Sequence, residues 1–540
     1  MPRTYDYIVI GAGSSGAVVA SRLTEDKDTS VLLLEAGSYD RHRFQLMPLA
    51  FLKVAQSASF NWNYETEPEP GLLNRRLPIP RGKVLGGTSS INAMICIRGN
   101  REDYDSWHEE GLAGWSYADV LPYFKRLETH WRGETAYHGG SGPIRVTRMN
   151  FPYMLYEPLR ETAAGLGIPL NDDPNGARQE GLSRCEATIG DGRRSSTART
   201  YLYPAMQRPN LTVETGALTS RILIENGRAV GVEYRREGKL EKVFANCEIV
   251  LSAGAYNSPQ ILMLSGIGPA DELKAQGITP VHDLPGVGRN LSEHSNFIAL
   301  FKIRQKGGLT RYLRLDRATL QVARWFMRHD GPFASNGTAA NLFTRSRPDM
   351  NRADLQLTFM PVDNFATLWF PGVTASPTWC YSVRIGVLHP KSRGWVRLRS
   401  ADPSDKPRIQ LNMFTDPRDM ETMISGIRHC REFFRHSPVR EMIEQELSPG
   451  PAIGSDAQLE ESIRQNAGHR SHPVGTCRMG TGPDAVVDAE LRVRGLSGLR
   501  VIDASVMPET PSGNTNVPSI MIGEKGADLL RGRRLSPAAV

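Results

Sequence analysis

The chain has 540 residues, 40% of them hydrophobic and 23% charged, the balance of a folded enzyme rather than a disordered or fibrous chain. Its 65 basic and 58 acidic residues leave a formal charge of +7, mild for this length, and no basic-aromatic module or repeat accompanies it, which argues against nucleic acid as a partner. Six scattered cysteines without a C-x-x-C pair speak against a disulfide framework or a zinc site.

Reduced thiols of this kind fit a cytoplasmic protein. A first strand starting by Tyr5 leaves no room for a signal peptide, and no apolar run approaches the roughly twenty residues that span a bilayer. The length implies two or more intertwined domains.

The first elements form a βαβ unit. An apolar run ends at Ile10, a turn carries Gly11, Gly13 and Gly16, a small-residue helix follows, and Val31 to Glu35 make a second run ending in an acid. Gly11 permits a tight turn, Gly13 lets backbone approach a pyrophosphate, and Gly16 lets helix and strand pack closely. Glu35, nineteen residues beyond Gly16, stands where a carboxylate would accept from an adenosine ribose. This spacing predicts a dinucleotide site, FAD or NAD.

From Pro80 to Ala93 the paired glycines Gly86 and Gly87 precede Thr88, Ser89 and Ser90, a backbone nest suited to a phosphate or flavin edge. Asp103 to Thr129 reads as helical, with Trp107, Trp115, Tyr117, Leu121 and Phe124 as packing residues, while Tyr137–Arg145 and Asn171–Gly176 read as loops. Alternation then predicts strands at Leu211, Thr219–Ile224, Val230–Arg235 and near Val243, with an Asn226-Gly227 hairpin turn. Glu248 to Gly254 reads as a buried strand returning to the nucleotide sheet, followed by a helix that stops at glycine near Gly266.

Between Lys302 and Arg328 lie eight basic residues and one acid, with Leu320, Val322, Ala323, Phe326 and Met327 as an apolar face, a pattern that permits peripheral docking on anionic lipid of an inner membrane. Pro332 to Phe370 is expected to be a smaller unit holding the substrate pocket and its lid, with Phe333, Phe343, Phe359, Phe365, Trp369 and Phe370. Lys391–Asp402 is a hairpin region; Asp416–Phe434 and Asp456–Gln465 are helices.

The C-terminal part carries the sharpest catalytic pattern. His472 precedes Pro473, which suits a fixed, neutral general base. A strand ends at Asp503, and Gly513-Asn514-Thr515-Asn516-Val517-Pro518 opens an apolar helix. Asn516, at that junction, can donate to and accept from an alcohol oxygen. Cys477 reads as a buried small residue.

Together these segments resemble the glucose–methanol–choline (GMC) oxidoreductases, FAD enzymes that oxidise alcohols, over essentially the whole chain. Gly11 to Gly16 with Glu35, Gly82 to Asn92, Gly254 to Gly268, His472 to Gly480 and Asp503 to Asn516 carry the resemblance. Within that family the chain looks nearest to bacterial aliphatic alcohol dehydrogenases and hydroxymethylfurfural-type oxidases.

The resemblance implies an α/β chain: a Rossmann-like FAD-binding domain with mixed sheet and β-meander, and an α+β substrate domain whose antiparallel sheet faces the flavin. The FAD domain would come from residues 1–150, 190–300 and 465–540, and the substrate domain from 301–464 with part of 151–189. His472 would be the base and Asn516 its partner. FAD contacts would fall at Gly11, Gly13, Ser14, Ser15, Gly16, Glu35, Ala36, Trp62, Gly86, Asn92, Ala93, Leu218, Ala253, Asp503 and Val517.

Members with covalent FAD carry histidine where this chain has Ile91, so the flavin is expected to be dissociable and held non-covalently. The implied reaction takes a primary alcohol to the aldehyde, with hydride passing to flavin N5 and electrons to a quinone-type acceptor or O2. A choline-type dehydrogenase and a hydroxynitrile lyase with non-redox FAD are the alternatives. Ser471, where the family usually has an aromatic, and the preceding Arg470 depart from the pattern, as does Cys96.

Overall fold

The computed structural model describes residues 3–363 and 366–540. Two seven-stranded sheets organise it. The first places strand Arg3–Ile10 between Val31–Glu35 and Lys239–Leu251, all parallel, with Leu211–Thr215 outside Val31–Glu35 and Leu499–Val501 beside Lys239–Leu251. Its strands Val31–Glu35 and Ile8–Ile10 are fully buried, as expected of parallel strands covered on both faces. The sheet continues as an antiparallel meander through Arg228–Arg236 and Leu218–Glu225.

The Asn226-Gly227 turn forms as expected, with Asn226 at φ 49° and Gly227 at φ 75°. The two strands expected near Val243 and from Glu248 are instead one strand of 13 residues, Lys239–Leu251. Its first half pairs with the meander and its second half with Arg3–Ile10, across a register shift between Tyr5 and Tyr7.

The second sheet is antiparallel throughout: Ile443–Ser448, Ser295–Ile303, Cys380–Val387, Leu355–Met360, Ala340–Thr344 and Gly181–Arg184, in that order, with Gly468–His469 added beside Ser295. Alternation sorts its faces. Val383, Ile385, Leu355, Leu357 and Phe359 pack under helix Pro417–Arg435, while Arg384, Thr358 and Met360 face the other way.

Three local expectations change. The run from Asp103 to Thr129 is two helices, Arg101–Glu109 and Tyr117–Leu127, because Gly111 and Gly114 take positive φ between them; Ser116 and Asp119 then cap the second reciprocally. Pro332 to Phe370 is not a separate unit. Phe343 and Phe359 sit in the antiparallel sheet's core, Phe333 packs with Trp325 and Met47, Phe370 is exposed, and Phe365 lies outside the described residues. On helix Leu315–Arg328, Ala318 and Trp325 form the buried face, whereas Leu320 and Met327 are 67% and 75% exposed. Among the described residues, no helix is long and apolar enough to cross a membrane.

Glu524, on the C-terminal helix Asn516–Leu530, is wholly buried and ties that helix to the rest. It accepts from Arg22 at 2.8 and 2.9 Å and from the Tyr201 hydroxyl at 2.6 Å, and it pairs with Arg126 at 2.8 Å. Glu524→Ala would leave Arg22 with Glu25 and Arg126 with Asp528 as their remaining carboxylates, and the Tyr201 hydroxyl without its acceptor; it should destabilise the protein by about 1–3 kcal/mol, seen as a lowered thermal midpoint. Removal of the exposed Asp316 should leave the midpoint unmoved.

Candidate active site

A cavity of about 670 Å³ runs from the first glycine turn to His472, within the range of small-molecule sites. At one end lie Gly11, Gly13, Ser14, Ser15, Glu35 and Ala36. A Cβ on Gly11 (φ 96°) would stand 2.5 Å from the Ser252 carbonyl oxygen, so the turn admits only glycine. Gly13 differs: its Cβ direction is open, with the nearest protein atom at 3.9 Å.

Helix Gly16–Leu23 begins beside this opening with neither a side-chain cap nor an acid in its first turn, which leaves its N–H groups for a phosphate. Glu35 accepts from Ala12 N at 2.9 Å and Gly37 N at 2.8 Å. Two backbone bonds still leave a carboxylate lone pairs for ribose hydroxyls. Burial pushes its carboxyl up to about 7.

Asp503 closes the same end. It accepts from Gly254 N, Ser258 Oγ, Ser505 N and Ser505 Oγ, so it locks the turn after strand Lys239–Leu251 to the turn after Leu499–Val501. Trp62 and Lys83 line the wall, the ammonium 4.5 Å from the ring centroid. The open cradle at Gly13, the uncapped helix and the carboxylate fit a dinucleotide such as FAD.

His472 sits at the other end, 8% exposed. Ser471 before it is held at φ 65°, a conformation rare for a non-glycine residue, and Pro473 after it restricts its backbone. The His472 backbone N–H donates to Glu293 Oε1 at 2.7 Å, and Arg470 N donates to the His294 carbonyl at 3.0 Å, so strand-entry residues 293–294 hold the loop.

The ring's tautomer follows from its partners. His294 Nε2 lies 2.9 Å from the Leu388 carbonyl oxygen, which can only accept, so that nitrogen carries the proton. Burial, reinforced by the Arg470 charge, presses His294 down to about 3 and keeps it neutral, so its Nδ1 is bare. His472 Nδ1, 2.9 Å away, therefore donates to it. His472 Nε2 is left unprotonated and lies 3.0 Å from Asn514 Nδ2. Burial and the positive groups nearby hold His472 well below the usual histidine range. A neutral imidazole whose Nε2 lone pair faces a cavity, accepting from Asn514 until a substrate arrives, can take a proton from a hydroxyl.

The carboxamide beside His472 thus belongs to Asn514. Asn516 lines the same cavity, but its Nδ2 donates to Ser14 Oγ at 2.8 Å. The difference arises at the helix start: Asn516 is the first helical residue, whereas Asn514 lies in the approach loop. That loop is fixed from below by Asp103, which accepts from Ser512 N at 2.6 Å and Ser512 Oγ at 2.8 Å.

Of the other residues expected at the cofactor, Asn92, Ala93, Leu218 and Ala253 line the cavity. Gly16, Gly86 and Val517 do not. A Cβ on Gly16 would meet the Gly11 carbonyl oxygen at 1.9 Å, and one on Gly86 would meet Ser90 Oγ at 2.4 Å, so both serve packing; Val517 is 1% exposed in the core. None of the described aromatics from Pro332–Phe370 reaches the cavity, which takes Thr338, Thr358 and Met360 from that stretch. Sequence reasoning missed His294, Glu293, Asn514 and Arg384. Only Asn514 had a signal, its place in a doubled asparagine motif.

The models described as GMC oxidoreductase match residues 5–296 and 390–523. Over 531 residues the chain is 43% identical to the oxygen-dependent choline dehydrogenase of Rhizobium etli, covering 98% of this chain and 96% of that one. Mouse mitochondrial choline dehydrogenase is 41% identical over 98% of this chain and 89% of its own. Among solved structures, pyridoxine 4-oxidase from Mesorbium loti superposes with a TM-score of 0.87 at 30% identity, covering 98% and 100% of the two chains. A formate oxidase variant from Aspergillus oryzae RIB40 superposes with a TM-score of 0.91 at 27% identity, covering 98% of each. With both family models matched in order and the fold shared end to end, this chain belongs to the GMC oxidoreductases, and its cofactor is FAD.

Proposed function

We propose that this protein oxidises a primary alcohol to the aldehyde, with His472 as the base. The observation that carries this reading is the bare Nε2 of His472, aimed at Asn514 and fixed from behind by His294. What FAD supplies there when bound is a two-electron acceptor for the carbinol hydrogen with its electron pair. The protein's part is alignment and proton transfer: Nε2 takes the hydroxyl proton while Asn514, whose Nδ2 lies beside it, donates to the oxygen and orients it. Asn516 in this reading holds Ser14 of the nucleotide turn against the C-terminal helix, an anchoring role in place of the one expected for it.

Similarity to proteins named choline dehydrogenases supports a second reading, a choline-type alcohol. A lyase with non-redox FAD is the third. Anaerobic mixing with alcohols separates them: bleaching of the flavin supports oxidation, and aldehyde formed from a cyanohydrin without bleaching supports the lyase. Turnover compared between O2 and a soluble quinone identifies the acceptor. A rate with quinone well above that with O2 marks a dehydrogenase, and comparable rates mark an enzyme that also works as an oxidase.

His472→Ala should cut the rate of flavin reduction by about two to four orders of magnitude while FAD stays bound. Asn514→Ala should lower that rate by about one to three orders, and Asn516→Ala should act mainly on FAD retention; the reverse ranking would return the partner role to Asn516. Because His472 is depressed well below its ordinary value, it stays in its basic form as pH falls through 6.5. Its contribution to kcat/KM should therefore be flat from pH 9 to about 6 and fall only at more acid pH. A limb near 6.5 assigned to this ring would contradict the geometry. Ile91, 2% exposed among Val54 and Val84, offers no nucleophile, so acid precipitation should release all the flavin into the supernatant.

A further inference from the structure

Three arginines, Arg81, Arg384 and Arg470, line the cavity around His472; Arg81 pairs with Glu293 at 3.9 Å, which leaves the other two. Both come from the antiparallel sheet or lie on it. Arg384 is central in strand Cys380–Val387, opposite Thr358 on one side and Ile298 on the other. Its neighbours Val383 and Ile385 point into the core, so strand alternation turns the guanidinium to the cavity face, where it lines the site.

Arg470, two residues before the base, lies across the same sheet face. Its Nη2 donates to Thr358 Oγ1 at 2.9 Å, and Nη1 to the Gln356 and Arg384 carbonyls at 3.3 and 3.4 Å. Gly386 makes room for it, since a Cβ there would stand 2.2 Å from Nη1.

These partners are neutral, and the one carboxylate that acts on the Arg470 charge is Glu293, behind the His472 loop. Arg384 Nε is shut from solvent with no hydrogen-bond partner, and among the described residues the guanidinium forms no ion pair. Buried arginines elsewhere are served differently: Arg98 meets Glu128 at 2.6 Å, and Arg500 meets Glu248 at 2.9 Å. Arg384 is partly buried and opens on the cavity, where a guanidinium without an ion pair is available to an anion and its fork matches a carboxylate. Burial pulls both arginines below their usual range, and the Arg384 charge adds to the pull on Arg470, which falls to about 9; a guanidinium keeps its proton at neutral pH. Of the carboxylates that line the cavity, Glu35 and Asp503 are engaged at the nucleotide end and Asp405 accepts from Ser400 Oγ at 2.6 Å; Glu293 lies behind the His472 loop without lining the cavity.

We propose that the alcohol this enzyme oxidises carries a carboxylate, received by Arg384 with Arg470 adding to the positive field, so that the substrate class is a hydroxycarboxylate. The inference rests on the alcohol-oxidation reading above and names the substrate of that site. It also sets this pocket against a trimethylammonium substrate, which the positive charge of Arg384 and Arg470 would repel.

The test uses the FAD-loaded enzyme under anaerobic conditions with ω-hydroxycarboxylates of two to six carbons, the α,ω-diols of matching length, and choline. The best hydroxycarboxylate should reduce the flavin with an efficiency about 100-fold above its diol, a factor typical of a charge-assisted pair, and choline should be slowest. In Arg384→Met that ratio should fall to within about tenfold, mainly through weaker substrate binding, and Arg384→Lys should recover part of it. Butanoate, which has no hydroxyl, should compete with the diol in the unaltered enzyme, whereas butyramide should not; this arm needs no variant to fold.

A diol or choline matching the best hydroxycarboxylate, butanoate without effect, or a ratio untouched by Arg384→Met would overturn the proposal. If diols bleach the flavin and hydroxycarboxylates do no better, this inference alone fails. If no alcohol of any charge bleaches it, the oxidation reading fails first and takes this one with it.

Discussion

The hydrogen-bond chain from the Leu388 carbonyl through His294 to His472 is the constraint on which the site depends. A carbonyl oxygen has no proton to give, so each ring in turn has its tautomer dictated, and the last nitrogen is left bare. Three separate parts of the chain meet there. Leu388 follows the central strand of the antiparallel sheet, His294 precedes that strand's neighbour Ser295–Ile303, and His472 lies on the loop leading back to the nucleotide-binding sheet. Glu293 adds a second tether through the His472 backbone, so the base is fixed at ring and main chain alike.

The two sheets divide the labour. The parallel sheet and its glycine turn make a rigid cradle whose acids, Glu35 and Asp503, are spent largely on backbone N–H groups. The antiparallel sheet presents a face of mixed polar and apolar side chains toward the reacting end. What one contributes to holding the cofactor, the other contributes to recognising the alcohol. The Asn516–Ser14 bond joins the two ends of the sequence at the point where these tasks meet.

Much of this was legible in the residues because its causes are local. The glycine spacing at Gly11 to Gly16, the hairpin at Asn226-Gly227 and the proline after His472 each state a backbone requirement within a few positions. The antiparallel sheet was expected only through the family resemblance, and its strand order was not legible, since it joins strands as distant as Gly181–Arg184 and Ala340–Thr344 and no short window carries that pairing. His294 stayed hidden for the same reason, standing 178 positions from the ring it polarises. The choice between Asn514 and Asn516 turned on where a helix begins, which sequence patterns leave uncertain by a residue or two. Arg384 escaped because an arginine within an apolar strand reads as an edge or surface residue until the sheet's second face is known to line a chamber.

Gly386 has a consequence of its own. The side chain of Arg470 occupies the volume that any larger residue at this strand position would fill, with Nη1 2.2 Å from where a methyl carbon would begin. The place of one charge in the chamber is therefore written in a missing methyl group: a single added carbon on the floor would push the Arg470 guanidinium from its seat. Polarity and shape in this pocket are one variable, so a relative that differs only in the bulk of that floor residue would also differ in the charge its substrate meets.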